Sequence, residues 1–330
     1  MKHLCTSWMV CVCVFAACSM ACDDGTSLDP AGLSTPESLA TLNAGTHPLL
    51  DLIEESPVRE ICDIWYGNDL CTTDAEALVA DAIAAEMPDV LLLQEIWDQT
   101  RCDDPVMPAA STEPPFVCSA GEAHQLERLL PREYDFACGA DVPISRDALS
   151  CIAFKRSVFT PLGPPGSDAA CLGRDCSGLL EVLEPECDTQ WGKIIMLRGR
   201  AETGPAVLVS IHLFIDISWP DLLCQAEQVE VLGDTLAGLS DDTLMIVGGD
   251  FNLDLRLPIP GARSLAGMQA EQALELLGDT GRTNQVIPWL RLDMIFTRSW
   301  EASVDATCEV TFLNPDAGPP MIDHGLVMCR

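Results

Sequence analysis

The sequence is poor in positive charge. Its 330 residues include 18 Lys and Arg against 51 Asp and Glu, which gives a formal net charge of −33. So few cations cannot cover a polyanion, and the composition therefore argues against a general nucleic-acid coat. Hydrophobic residues nevertheless make up 48% of the chain. That share is enough for a sizeable buried core and excludes a disordered acidic chain.

The chain also lacks a long apolar run near its start. The apolar stretch 8–17 is shorter than the roughly 20 residues that a transmembrane helix needs, and with Lys2 before it the stretch is typical of a signal peptide. Cys18 and Cys22 stand where a bacterial lipoprotein would be cleaved and acylated, although the Leu usual three residues earlier is absent from both. We expect a signal over 1–22 and a polar tether over 23–37, with plain secretion and an uncleaved anchor as alternatives. The expected location is the bacterial cell envelope or the secreted fraction.

Paired CxxC motifs are missing from the rest of the chain. Twelve of the 17 cysteines follow residue 22, and none forms a CxxC pair or a Cys–His cluster with finger spacing. This absence argues against a zinc site. An even number of cysteines in an exported protein predicts disulfides, and it argues against a reducing cytosol. The near neighbours Cys62/Cys71 and Cys102/Cys118 are the first candidate pairs.

Strand and helix patterns alternate from residue 38 to the end. This alternation predicts one α/β domain over 38–330 with mixed sheets. The stretches 98–145 and 160–190 are rich in Pro, Cys and acidic residues and are predicted to be disulfide-pinned insertions. The predicted strands are 38–42, 90–93, 150–154, 193–200, 207–211, 244–247, 292–296 and 326–329, and the predicted helices are 74–86 and 222–239.

Several apolar strands run directly into residues that can bind metal or move protons. In α/β sheets ligands bind at strand ends, so such groups can converge. Taken singly, each has an ordinary structural interpretation: a solvated strand end, a turn cap, an exposed face or a core histidine. Only four histidines follow the signal, and two of them adjoin these strand ends. The strand-end residues are Glu95, His212, Asp250, Asn252, Asp293, Asp323 and His324.

The motifs, in chain order, are a strand that ends in Asn43, LLQE at 92–95, SIHL at 210–213, GDFN at 249–252, RLDMIF at 291–296 and DH at 323–324. In this order they resemble the endonuclease/exonuclease/phosphatase superfamily. That superfamily contains pancreatic-type deoxyribonucleases, abasic-site endonucleases, sphingomyelinases and inositol-polyphosphate phosphatases. The chain departs from its pattern at Ile322, where Ser is usual, and at Met294, where Tyr is usual. The resemblance implies a four-layer α/β sandwich with two packed mixed β-sheets flanked by helices.

The resemblance further implies a metal-dependent phosphoester hydrolase that uses Mg²⁺ or Mn²⁺. Glu95 is the first implied metal ligand, Asn43 supports it and Asp323 is a second carboxylate. Hard divalent cations of this kind prefer oxygen ligands and keep several waters.

The remaining residues have implied catalytic roles. Asp250 would orient or deprotonate the attacking water, and Asn252 would hold the phosphate oxygen or the nucleophile. His324 would hydrogen-bond a phosphoryl oxygen or protonate the leaving group, with its imidazole oriented by Asp293. His212 resembles the second histidine of the deoxyribonuclease and sphingomyelinase branches, an acid or a phosphate ligand.

The substrate stays open among DNA or RNA, a phospholipid and a small phosphate ester. A lipid phosphodiesterase needs an exposed apolar edge, for which Trp219 and Pro220 are candidates. A phosphomonoesterase needs neither such an edge nor a track of basic residues. The alternative function is a catalytically silent cell-surface binding protein on the same fold. We expect a monomer, with the membrane as a partner through an N-terminal lipid anchor. A nuclease needs basic residues along the backbone track, and the nearest supply is Arg146, Lys155, Arg156, Lys193, Arg198 and Arg200.

Overall fold

The computed structural model describes two β-sheets with helices on their outer faces. The described residues are 32–45, 74–97, 124–140, 148–163, 169–183, 187, 193–213, 218–278, 281–284, 290–313, 322 and 324–330. The strands are β1 (Leu39–Asn43), β2 (Val90–Trp97), β3 (Tyr134–Ala140), β4 (Ala148–Lys155), β5 (Thr160–Pro161), β6 (Glu181–Leu183), β7 (Lys193–Ala201), β8 (Gly204–His212), β9 (Leu244–Asp250), β10 (Glu275–Leu276), β11 (Asp293–Arg298), β12 (Cys308–Phe312) and β13 (Gly325–Cys329). The α-helices are α1 (Asp74–Glu86), α2 (Gln125–Leu129), α3 (Trp219–Ala237) and α4 (Pro260–Glu271).

Both sheets are mixed. Sheet one has the order β12-β13-β1-β2-β4-β3, and sheet two has the order β10-β11-β9-β8-β7-β5 with β6 also paired to β7. The β1/β2 and β8/β9 pairs are parallel, and α1 and α3 lie in the respective connections between them. Parallel neighbours need such a crossover, since a tight turn can join only antiparallel strands. Asn43 and His212 therefore lie at the ends of the strands that enter these crossovers, and Glu95 lies toward the end of β2, the parallel neighbour of β1.

Three apolar layers hold the four structural layers together. The inner layer joins the two sheets, with Leu92 and Ile152 of sheet one against Leu208 and Ile246 of sheet two. One outer layer packs α1 and α2 on sheet one, and the other packs α3 and α4 on sheet two. This helix–sheet–sheet–helix order confirms the predicted sandwich.

The described parts of the two predicted insertions contain edge strands. β3 lies within 98–145 and pairs with β4 along the outer edge of sheet one. β5 and β6 lie within 160–190 and pair with β7. All three strands occur where the sequence is dominated by Pro, Cys and charged residues, which hide an alternating pattern. Helix α4 was also not predicted, because it carries few apolar residues. Ala262, Leu265 and Met268 are the ones that pack into the outer core.

Four disulfides occur among the described residues, which confirms that cysteines of this chain pair. Cys138–Cys151 and Cys308–Cys329 each join directly opposed residues of neighbouring antiparallel strands. The other two are Cys171–Cys176 and Cys187–Cys224. Cys62, Cys71, Cys102 and Cys118 lie outside the described residues, so the two pairs proposed for them stay predictions. None of the described helices is both long and apolar enough to cross a membrane.

Candidate active site

Three strands of sheet two bring acidic and imidazole groups to one edge. In the strand register His212 of β8 lies opposite Asp250 of β9, and Asp250 lies opposite Asp293 of β11. Both aspartates are buried. Gly249 permits this close approach: its φ is +140°, and a Cβ there would lie 2.0 Å from the carbonyl oxygen of Ile211. Only glycine adopts this conformation readily.

Sheet one supplies Glu95 through a β-bulge. The register between β2 and β4 shifts between Leu93 and Ile96, and Glu95 has a φ of +56°. The preceding Gln94 is fully buried, and its Nε2 donates to Ser210 Oγ of the facing sheet at 2.9 Å. Bulges turn a strand locally and re-aim a side chain. Here the bulge leaves the Gln94 side chain in the core and turns the Glu95 side chain toward Asn43.

Asn43 joins the two sheets at the centre of the site. Its Nδ2 donates to Glu95 Oε1 at 3.1 Å and to Asp250 Oδ2 at 3.0 Å. Its Oδ1 accepts a hydrogen bond from the backbone N–H of Gly45 at 3.0 Å. One buried amide therefore fixes two carboxylates from different sheets. Because Glu95 and Asp250 both approach this nitrogen, their oxygens converge on one small volume.

Asp293 and His324 form a buried carboxylate–histidine pair. Nδ1 of His324 lies 2.8 Å from Asp293 Oδ2, and Nε2 lies 3.6 Å from Asp250 Oδ2. Burial raises the pKa of Asp293, and neighbouring Asp250 raises it further; His324 and Thr283 oppose this only in part. Oδ1 of Asp293 is buried without a hydrogen-bond partner among the described residues. The pair orients the imidazole so that Nε2 faces the other carboxylates.

The loop after β9 is held by hydrogen bonds from both sides. Asn252 has a φ of +47°, which Asn tolerates better than most residues. Its backbone N–H donates to Asp250 Oδ1 at 2.8 Å, and its Nδ2 donates to the carbonyl of Leu213 at 2.8 Å. From α3, Gln225 Nε2 donates to the carbonyls of Phe251 and Asn252 at 3.3 and 3.1 Å. Among the described residues only the Leu213 carbonyl accepts from Nδ2 of Asn252, so its second amide hydrogen is available for a ligand.

His212 completes the described group. Its Nε2 lies 3.6 Å from Glu95 Oε1 and 4.0 Å from Asp250 Oδ2. The structure thus brings together seven of the eight predicted site residues: Asn43, Glu95, His212, Asp250, Asn252, Asp293 and His324. Asp323 lies outside the described residues, and its place in the site stays a prediction.

The donor set fits a divalent cation. Asp250, Asp293 and His324 each offer one ligand atom, and these atoms lie within 4.8 Å of one another. However, Nδ1 of His324 and Oδ2 of Asp293 already face each other. The oxygens best placed for a cation are therefore those of Asp250 and Glu95, which suit a hard ion such as Mg²⁺.

Two contributing residues, Thr283 and Asn284, carry no recognisable sequence signal. Thr283 Oγ1 accepts hydrogen bonds from the backbone N–H groups of Leu292 and Asp293 at 2.9 and 3.0 Å. Asn284 is buried, and its Nδ2 lies 3.1 Å from Nε2 of His324. They stand in a short polar segment that reads as an ordinary loop. Only the fold reveals that this segment runs beside the Asp293–His324 pair.

The basic residues and Trp219 on the described surface bear on the choice of substrate. Of the predicted basic residues, Lys155, Arg156 and Arg198 are each paired with a carboxylate of the protein. Arg146 lies outside the described residues, as does the side chain of Lys193. Trp219, on the first turn of α3, has 64% of its surface exposed.

Comparison with known proteins gives one family and many solved structures. The model of the endonuclease/exonuclease/phosphatase family matches residues 63–314. The chain is similar in structure to D. rerio TDP2 complexed with a single-strand DNA product, with a TM-score of 0.51, 14% identity, and coverage of 88% of this chain and 97% of that one. It is also similar to the human Nocturnin catalytic domain with bound sulfate, with a TM-score of 0.53, 16% identity, and coverage of 90% and 94%. For the mannosyl-6-phosphatase of Bacteroides thetaiotaomicron the TM-score is 0.53 at 14% identity, with coverage of 89% and 98%. No curated protein matches this chain.

Proposed function

The chain belongs to the endonuclease/exonuclease/phosphatase family, and from this premise we propose that it is an exported, metal-dependent phosphoester hydrolase. The observation that carries the proposal is the convergence of Glu95, Asp250 and the Asp293–His324 pair around Asn43. Burying carboxylates together is costly unless they are compensated. A protein that only binds a partner has no need for this arrangement. The convergence therefore supports an enzyme over the silent binding protein.

The oxygen donors of this group fit a divalent cation. Glu95 and Asp250 are the described residues that would hold it, and Asp323 is a further predicted ligand. Asn43 acts as their support, since both ends of its amide are engaged within the protein. When bound, such a cation neutralises charge on phosphoryl oxygens and lowers the pKa of a bound water.

The chain's own residues divide the remaining work. Asp250 orients the attacking water and accepts its proton; Oδ1 is fixed by the backbone of Asn252, whereas Oδ2 faces Asn43 and His324. His324 serves the phosphoryl group or the leaving oxygen through Nε2, because Nδ1 faces Asp293. Asn252 contributes its second amide hydrogen to a phosphate oxygen. His212 lies beside Glu95 and Asp250, where it can hydrogen-bond another oxygen of the substrate.

Substrate preference follows from charge and exposure. The net charge of −33 and the carboxylate partners of Lys155, Arg156 and Arg198 weigh against a long polyanionic substrate. The solved neighbours include one protein with a bound single-strand DNA product and one named as a mannosyl-6-phosphatase. The fold is therefore compatible with nucleic-acid and with sugar-phosphate ligands. The exposed side chain of Trp219 favours a phosphoester that carries an apolar group over a small, fully polar phosphate ester.

Turnover by the purified protein tests the proposal. The substrates are plasmid DNA, RNA, sphingomyelin, bis-p-nitrophenyl phosphate and p-nitrophenyl phosphate, each with Mg²⁺, Mn²⁺ or EDTA. We expect metal-dependent hydrolysis of at least one, abolished by EDTA and reduced about 10²–10⁴-fold by Asp250→Asn. Absence of metal-dependent turnover of all five substrates would contradict the proposed enzymatic function. Full activity in Asp250→Asn would contradict the site.

Export is tested separately by cell fractionation with thiol labelling. Because the described cysteines pair, we expect the protein in the envelope or the medium with its thiols protected. A lipid anchor predicts that the protein stays with membranes until Cys22, or Cys18, is replaced by Ser. A cytosolic protein with reduced cysteines would contradict the proposed location.

A further inference from the structure

We propose that Arg282 binds a second phosphate group of the substrate, beyond the ester that is hydrolysed. The proposal rests on the phosphoester hydrolase proposed above and names the substrate class of that site. It starts from a guanidinium that faces an aromatic ring beside the active site: Cζ of Arg282 lies 5.1 Å from the centroid of the Phe312 ring. The expected substrate is a small phosphoester with an additional phosphate.

Arg282 differs from the basic residues of the surface described above. Lys155, Arg156 and Arg198 are each paired with a carboxylate, as expected in a chain with 51 acidic and 18 basic residues. Arg282 is exposed, and within the part of the chain that the structure describes its side chain contacts the Phe312 ring but forms no ion pair. An aromatic ring covers the face of a guanidinium and leaves the N–H groups at its edge able to donate. These donors match two oxygens of one phosphate.

The backbone places Arg282 next to the active site. The following residue, Thr283, accepts through its Oγ1 a hydrogen bond from the N–H of Asp293 at 3.0 Å. The carbonyl of Thr283 accepts a second one from the N–H of Gly325 at 2.8 Å. Gly325 directly follows His324 in the chain. Arg282 therefore adjoins a residue that is bonded to both sides of the carboxylate–histidine pair.

The Phe312 ring lies at the same end of sheet one. Phe312 is the last residue of β12 and lies opposite Gly325, the first residue of β13. A Cβ on Gly325 would lie 3.2 Å from both Cδ1 and Cε1 of Phe312, so the ring packs against the backbone that follows His324. A cation over an aromatic face is attracted to it without losing its charge. The ring thus holds the Arg282 cation at the rim of the site.

The position and number of charges indicate a second phosphate on the substrate. The phosphoryl group that reacts is served by Asn252, His212 and His324, and Arg282 reaches this group only through Thr283 and Gly325. A phosphate monoester carries about −1.5 to −2 charges at pH 7 and gains more from one cation than a carboxylate does. A single cation at the rim suits one such group, whereas a long polyanion needs a track of them.

Two substrates that differ in one phosphate test the proposal. They are the p-nitrophenyl ester of thymidine 5′-phosphate and the same ester with a 3′-phosphate, both assayed with Mg²⁺. We expect the wild type to prefer the 3′-phosphorylated ester about tenfold in kcat/KM, the gain from a charged hydrogen bond. Arg282→Ala should remove this preference through KM, with kcat and the rate on the unphosphorylated ester kept within about threefold of the wild type. The effect is smaller than the loss expected with EDTA.

Two further variants separate the roles of the fork and the ring. Arg282→Lys keeps the charge but loses the paired donors, so we expect it to retain only part of the preference. Phe312→Leu keeps an apolar contact with Gly325 and removes the aromatic face. The preference should then fall about two- to fivefold, since the cation is no longer held.

Arg132→Ala is the control with the same change in charge. Arg132 is exposed and lies just before β3. Tyr134 of β3 is opposite Lys155 at the end of β4, and β4 runs antiparallel to β2. Arg132 therefore lies at the end of sheet one away from Glu95. This variant should keep the wild-type kcat/KM on both esters.

A binding measurement does not depend on turnover. Titration calorimetry compares thymidine 5′-phosphate, thymidine 3′,5′-bisphosphate and glucose 1,6-bisphosphate. We expect a bisphosphate to bind the wild type about tenfold more tightly than the monophosphate, and Arg282→Ala to bind them equally. A loss of affinity for either bisphosphate in Arg282→Ala supports the proposal. The bisphosphate that is affected identifies the substrate as a nucleotide or a sugar phosphate.

The outcomes separate this proposal from the general function. If the wild type hydrolyses the thymidine esters and Arg282→Ala keeps the wild-type preference, or the wild type shows none, the role of Arg282 is wrong and the hydrolase stands. If the wild type hydrolyses no phosphoester, the proposed function is wrong, and calorimetry decides for Arg282. Equal affinities of the wild type and Arg282→Ala for all three ligands then overturn the second phosphate site.

Discussion

Replacing Gly45 by Ala should disable the site while leaving the fold intact. Gly45 follows β1 and donates its N–H to Asn43. A Cβ built on Gly45 would lie 1.6 Å from Glu95 Oε2, 2.5 Å from its Cδ and 2.9 Å from its Cβ. Gly45 lies outside the left-handed region, so backbone strain is not the issue. The substitution acts on the Glu95 carboxylate.

The size of the effect follows from these distances. Ordinary contact begins at 3.4 Å, so the carboxylate oxygen must retreat by about 1.8 Å, the difference between 3.4 and 1.6 Å. Such a move displaces the whole carboxylate and so breaks the 3.1 Å hydrogen bond that Asn43 donates to its other oxygen, Oε1. A misplacement of about 1 Å at a reacting centre costs about 10²-fold in rate, so we expect kcat/KM to fall at least that far. The cost in unfolding free energy should be only about 1–2 kcal/mol, because Glu95 is partly exposed and can turn toward solvent.

Gly267→Ala is the control, because it should raise the stability of the protein where Gly45→Ala lowers it. Gly267 lies within α4, and its added Cβ would meet nothing within 4 Å. Alanine in a helix interior stabilises by about 0.5–1 kcal/mol relative to glycine, with no effect on activity. Hydrolysis of bis-p-nitrophenyl phosphate over a Mg²⁺ titration gives the rates, and urea unfolding gives the stabilities. A Gly45→Ala protein within about threefold of wild type in kcat/KM, at unchanged Mg²⁺ dependence, would refute the placement of Glu95.

Two carboxylates give further predictions. Asp293→Asn removes the charge that orients His324, so kcat should fall about 10²–10⁴-fold; since burial raises the pKa of Asp293, the neutral amide should not lower the melting temperature at pH 7. Asp254 differs, because its hydrogen bonds with Arg256 and Arg291 outweigh burial and lower its pKa from 3.8 to about 2. The ionised Asp254 therefore stabilises the fold above its unfolded pKa, and this contribution is lost as the pH falls from about 4 to about 2. Asp254→Asn should lower the free energy of unfolding by at most about 2 kcal/mol at pH 7. This is an upper figure because the Arg256 side chain is 63% exposed and screened by solvent. In urea unfolding at acid pH the difference from wild type should shrink, and a pH-independent difference would contradict the lowered pKa of Asp254.

The sequence was most informative where apolar strands end in polar residues. The predicted strand 244–247 extends in the structure to Asp250, and the predicted strand 207–211 extends to His212. Both extensions add the chemistry-bearing residue to the strand end. Helix α1 has the predicted bounds, 74–86, because its helical apolar spacing stops ahead of Pro88. Local patterns sufficed where a strong apolar pattern marks the buried face, as in α1 and β9, but not in α4, whose apolar residues are few.

What the sequence did not reveal depends on contacts between distant segments. The bulge at Glu95 arises from the pairing of β2 with β4, and no local motif marks it. Gly45 resembles any loop glycine until the Glu95 carboxylate is placed against it. Asn284 lies 40 residues from His324 along the chain. Such contacts carry no periodicity, so a single sequence cannot display them.

The charge of the protein and the charge of its proposed substrate have the same sign, and the site shows how the two can be reconciled. Around the buried carboxylates the described donors are amides and imidazoles, supplied by Asn43, Asn252, Asn284, His212 and His324. Neutral donors recognise phosphoryl oxygens but contribute little long-range attraction. Under the proposed function, the attraction would come from a cation held by Glu95 and Asp250. Substrate affinity should accordingly depend on the metal far more than on any Lys or Arg, in contrast to a nuclease that tracks a backbone with basic side chains.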